Sequence, residues 1–141
     1  MFEKTTKMKI KTIFKINIVL IFLQALPLYI SLFSIDFKMK LMGDFFGSDP
    51  SPDALIMFDQ FALVLGLTIL GIISLIYGAL SFSDIRVLQR ISFLLYAVTG
   101  FFALPELINV FTSQPSAPLP VIIMGVISVG LFYYGSKKGT I

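Results

Sequence analysis

QFALVLGLTILGIISLIYGALSFS, residues 60–83, runs twenty-four positions without a charge between Asp59 and Asp84. A membrane-crossing helix needs about 20 mostly apolar residues to bridge the hydrocarbon core, so this stretch predicts one complete span. The neighbouring intervals repeat the pattern. Twenty uncharged residues separate Lys15 from Asp36, fifteen separate Arg90 from Glu106, and thirty separate Glu106 from Lys137. The last interval is interrupted by Pro115, Pro118 and Pro120, which together cannot occupy a regular helix interior. It therefore divides into the end of one helix, a tight hairpin and a further helix.

The resulting expectation is an all-α integral membrane four-helix bundle, a single domain over residues 1–141. Its spans fall at about 13–35, 55–81, 87–111 and 119–136, with outside loops 36–54 and 112–118 and a cytoplasmic loop 82–86. Composition agrees: 57% of the 141 residues are hydrophobic and 13% charged, against about 25% charged in ordinary soluble domains.

Sidedness follows from the basic residues. Lys4, Lys7, Lys9, Lys11, Lys15, Arg86, Arg90, Lys137 and Lys138 fall on one side, and only Lys38 and Lys40 on the other, among Asp36, Asp44, Asp49, Asp53, Asp59 and Glu106. The Lys/Arg bias near span ends predicts that both termini are cytoplasmic, in a plasma or inner membrane. A periplasmically active phosphatase fused after Gly47 is expected to be active, and the same enzyme fused after Ser83 inactive. The reverse pattern would overturn this orientation.

The missing residue types exclude whole classes of chemistry. There is no His, Cys or Trp. Imidazole or thiolate metal sites, a cysteine nucleophile and a Ser-His-Asp triad are thereby excluded, and the glycines form no phosphate-cradling loop. The reading is non-enzymatic, with no cofactor and no metal. The net charge of +3 is explained by topology, so the expected partner is the lipid bilayer, joined by another membrane protein or a second copy, and not nucleic acid.

Within the first outside loop, Phe37, Leu41, Met42, Phe45 and Phe46 recur at three- and four-residue spacing around Lys38 and Lys40, the pattern of a short interfacial amphipathic helix. Gly71, Ser74 and Gly78, with Gly125, Ser128 and Gly135, form small-residue ladders expected at helix-packing seams. Ala25–Phe33 and Ala103–Phe111 share Ala, Leu, Pro, Ile and Phe in register, the pattern a duplicated hairpin would leave.

Asp59 and Glu106 are ionisable residues within the spans, each at the outer end of its own. With Gln60, Asn109 and Gln24 they form the candidate ligand-binding set, an outer-side pocket for a cation or amine. Two roles are consistent with these features. One is an accessory or structural subunit, or a binding module, of a membrane assembly; the alternative is a small transporter or lipid/amphiphile-binding protein using the Asp59 and Glu106 region. No motif assigns the chain to a family.

Overall fold

A computed structural model describes residues 7–141, without the side chains of Asp44 and Phe45; Lys4 lies outside the described residues. The chain forms five helices: α1 (Ile10–Phe33), α2 (Ile35–Phe46), α3 (Pro52–Ala79), α4 (Ile85–Phe111) and α5 (Leu119–Lys138). Four of them, α1, α3, α4 and α5, are long and apolar enough to cross a membrane. No more than 22% of the most apolar 18-residue window of any of these helices is buried inside the protein. Side chains such as Phe101, 74% exposed, and Leu75, 70% exposed, would be untenable in water in such numbers. The surrounding solvent is the hydrocarbon of a bilayer.

Local chemistry sets each helix boundary. Ser34 leaves α1 in an extended conformation (φ −128°, ψ 112°), and its hydroxyl accepts the Phe37 N–H at 3.3 Å to begin α2. Ser51 caps α3 by accepting the Ala54 N–H at 3.2 Å, with Pro52 at the first helical position and Asp53 in the first turn. Asp84 caps α4 through the Arg86 N–H at 2.7 Å. At the far end of α4, Ser113 adopts a left-handed conformation (φ 55°) and the Gln114 N–H returns to the Asn109 carbonyl at 2.9 Å, closing a Schellman turn. Pro27 and Pro105 lie inside α1 and α4, and both helices run continuously through them.

The helices pack as a ring with one open seam. α3 packs on α1, α1 on α5, and α5 on α4, while α3 and α4 share no extensive interface. The densest packing lies where the termini meet: Ile10, Ile13, Phe14, Ile76, Ala79, Leu88 and Phe132 are all buried there. At that end the five-residue connection from α3 to α4 forces the two helices together. Both termini are tied to the same end by main-chain bonds, Ile10 N–H to Thr140 O at 2.8 Å and Thr140 N–H to Met8 O at 3.2 Å. Gln89 adds a side-chain bond to the Gly139 carbonyl at 3.2 Å.

The small-residue ladders divide. On α5, Ser128 and Gly135 are buried, and Gly125 meets Gln24 of α1. A Cβ at Gly135 would stand 2.6 Å from Ser92 Oγ, whose hydroxyl donates to Phe132 O at 2.7 Å across the α4–α5 seam. On α3, by contrast, Gly71, Ser74 and Gly78 are exposed, and nothing lies within 4 Å of a Cβ built on either glycine. The α3 ladder therefore forms no seam within this chain. The seam runs through Ala62, Gly66, Ile69 and Ile76 instead, because Tyr29 of α1 lies over Gly66 and donates to its carbonyl at 2.8 Å. That hydrogen bond needs an exposed backbone carbonyl, which only a residue without a side chain leaves open so close to a ring.

The hairpin duplication is only partly mirrored in packing. α1 with α3 and α4 with α5 do form two packed pairs. Gly66, however, meets Tyr29 of its own pair, whereas Gly125 meets Gln24 of the other.

Candidate functional site

A half-open cavity of about 250 Å³ lies between the four long helices. α1 contributes Ile21, Gln24 and Ala25, α3 contributes Leu65, Ile69 and Ile72, and Thr99, Ala103, Glu106 and Ser128 are among the residues supplied by α4 and α5. Most of the wall is aliphatic. Its polar groups are few and mostly offer acceptor atoms. Gln24 spends its Nε2 on the Leu20 carbonyl at 3.2 Å, leaving Oε1 against Gly125. Thr99 donates its hydroxyl proton to Leu95 O at 2.7 Å. Ser128, 2% exposed, has no hydrogen-bond partner for its hydroxyl among the described residues.

Glu106 holds the mouth of the cavity to the α4–α5 hairpin. Its Oε2 accepts the Ala117 N–H at 2.7 Å, just before α5 begins, and its second oxygen has no protein donor among the described residues. One carboxylate thus braces a loop and supplies formal negative charge to an apolar wall. No basic residue lines the cavity. In a low-dielectric setting that charge is felt strongly by anything entering, because screening by water is reduced.

The five residues expected to share a pocket are distributed differently. Gln24 and Glu106 line the same cavity. Asp59 does not reach it and instead forms an ion pair with Lys38 of α2 at 2.5 Å. The Lys38 side chain is 13% exposed and that of Asp59 44%, so the pair contributes about 1 kcal/mol or less, enough to orient a short helix. Gln60 is exposed. Neither Gln60 nor Asn109 lines the cavity, and the Asn109 carbonyl is occupied in the α4 cap. The single set therefore resolves into a Gln24–Glu106 cavity and a separate Lys38–Asp59 clasp. Lys38 carries the reason. It lies four residues before Met42, which is fully buried, so the helix that docks through Met42 delivers an ammonium to Asp59.

A second apolar hollow of about 450 Å³ lies along α4 and α5, lined by Gly100, Phe101, Leu104, Val126 and Val129 among others. It is larger, but its lining offers almost no polar group and its rim residues are exposed to the bilayer. It has the character of a lipid-facing groove.

The fold is that of a small multi-pass membrane protein with four candidate spans. No protein-family model, curated protein or solved structure matches the chain. Among the described residues, no cluster of acidic groups is arranged to hold a metal ion.

Proposed function

We propose that this protein is a non-enzymatic binding module that takes a small hydrophobic amine into the cavity between its spans. The observation that carries the reading is the lining: an aliphatic enclosure with acceptor groups on Gln24, Thr99 and Glu106, one carboxylate and no cation. Such a wall favours an apolar body bearing an ammonium donor and disfavours an anion. At about 250 Å³, the cavity exceeds the roughly 150 Å³ that holds a benzene ring, which leaves room for a short chain or a substituted ring. The unpacked seam between α3 and α4 supports entry from the bilayer. In this reading both termini are cytoplasmic, and the cavity opens in the outer half of a plasma or inner membrane.

Octylammonium is the probe, tested by thermal shift and tyrosine fluorescence in lipid nanodiscs, with octanoate as the anionic counterpart. Octylammonium is expected to raise the melting temperature and octanoate to leave it unchanged. Glu106→Gln keeps an acceptor for the Ala117 N–H but removes the charge, and should weaken octylammonium binding at least about tenfold, the weight of a charge-assisted hydrogen bond. Ala103→Phe, which fills the cavity, should abolish the shift. Equal stabilisation by octanoate, or undiminished binding in Glu106→Gln, would overturn the reading.

The accessory-subunit reading is favoured by a different observation, the exposed Gly71, Ser74 and Gly78 on the outer face of α3. It requires a partner helix on that face.

A further inference from the structure

At the end of the bundle opposite the cavity mouth, a groove of about 490 Å³ lies between α4 and α5. Arg86 and Arg90, one turn apart on α4, and Lys137 in the last turn of α5 line its upper part. Phe93 and Leu94, 48% and 62% exposed, continue it along α4 toward the bilayer interior. All three cations are exposed, and none has a carboxylate partner among the described residues. Asp84, the acid nearest in sequence, has Oδ1 engaged by the Arg86 main-chain N–H, which places it at the helix cap.

We propose that this groove binds the headgroup of an anionic phospholipid, with one acyl chain lying over Phe93 and Leu94. Positive charge alone would be satisfied by diffuse attraction to a membrane surface. Here the charges come from two helices and converge on a concavity, so one phosphate can be met from two sides. Arginine guanidinium groups present paired donors that match phosphate oxygens, and the lysine adds a point charge. The order of groups along the helix axis, cations first and apolar side chains next, reproduces the order of headgroup and chain in a lipid leaflet. A free phosphate ion would use the cations and leave the apolar half of the groove without a role. Rigid support comes from beneath, where Leu88, Ser92 and Leu95 on the opposite face of α4 are buried.

Native mass spectrometry of the full chain in mild detergent tests the proposal, with phosphatidylglycerol, phosphatidylcholine of the same chains, and inorganic phosphate as probes. Phosphatidylglycerol is expected to give a retained one-to-one adduct at least about tenfold tighter than phosphatidylcholine. Each basic residue near a membrane surface contributes on the order of a fivefold gain, so Arg86→Gln/Arg90→Gln should weaken that adduct about 30-fold. Lys38→Gln/Lys40→Gln, at the other end of the bundle, should leave it unchanged. Because Arg86 and Arg90 are exposed, the double variant should melt with the wild type when lipid is absent. Equal retention of the two lipids, or full retention of phosphatidylglycerol by the double variant, would overturn the proposal. Displacement of the lipid by millimolar inorganic phosphate would overturn it in favour of a soluble phosphate ligand.

Discussion

Gly135→Leu is expected to lower the stability of the protein by about 3 kcal/mol and to separate α4 from α5. A Cβ alone at this position would stand 2.6 Å from Ser92 Oγ and 3.4 Å from Ile13 Cδ1, and leucine adds three more carbons. Overpacking a filled seam typically costs about 1–3 kcal/mol. Displacing Ser92 also removes its bond to the Phe132 carbonyl, and interhelical bonds of this kind average about 0.6 kcal/mol in membrane proteins. The steric effect therefore dominates. Ser92→Ala, which loses the bond without a clash, should cost less than about 1 kcal/mol. Gly71→Leu serves as the contrasting change, since nothing lies within 4 Å of a Cβ there; its effect on the isolated chain should stay within about 0.5 kcal/mol. Reversible unfolding in mixed micelles, followed by circular dichroism, would rank the three. A Gly71→Leu loss as large as that of Gly135→Leu would show that the α3 ladder is a seam after all, covered by a helix from another chain.

The second large effect is a gain. Asn17 is completely buried in α1, and neither its amide nitrogen nor its carbonyl oxygen has a hydrogen-bond partner among the described residues. The antiparallel register of α1 and α5 brings Gln24 to Gly125 and Ile13 to Gly135, so Asn17 lies between these contacts, inside the seam. An unpaired polar group in hydrocarbon costs several kcal/mol on transfer, but in membrane proteins the unfolded reference state finds partners too, which reduces the difference. Asn17→Leu keeps the branched shape and removes both polar atoms. It is expected to stabilise the protein by about 1–2 kcal/mol, read as a higher melting temperature. A loss of that size would mean that Asn17 is satisfied in the membrane and that the amide holds the seam together. Ser128, which lines the cavity and is also buried and unpartnered, makes the comparison sharper. If both groups serve the cavity, removing them should change octylammonium binding as well as stability.

Charge spacing made the number of long helices legible. Where a chain of this composition goes without a charge for some twenty residues, water cannot satisfy the backbone and a lipid-spanning helix must. The short amphipathic helix α2 was legible for a related reason, because apolar residues at three- and four-residue steps around two lysines have few other stable arrangements. Its docking was not. Lys38 could be read as an outward-facing charge until Met42 was seen buried, which turns the ammonium toward Asp59. Gln24 and Glu106 were both visible as polar residues in apolar helices, yet their joining in one cavity depends on how α1 packs beside the α4–α5 pair. The basic groove shows the same division. Arg86 and Arg90 form a pair by sequence spacing, while Lys137 joins them only because α5 returns beside α4.

The sequence by itself determined that the chain has four long apolar helices, each able to cross a membrane, and which kinds of catalytic chemistry its residues exclude. Those properties are sums over local stretches, and local stretches are read directly. Tertiary structure alone decided which face of each helix turns inward. In lipid an apolar side chain gains nothing by leaving its solvent, so hydrophobicity does not mark the buried face as it does in water. The orientation is fixed by close fits, Tyr29 on Gly66 and Ser92 against Gly135, that arise between residues distant in sequence. Those fits put the α5 ladder inside the bundle and left the equally small-faced α3 ladder on its outside.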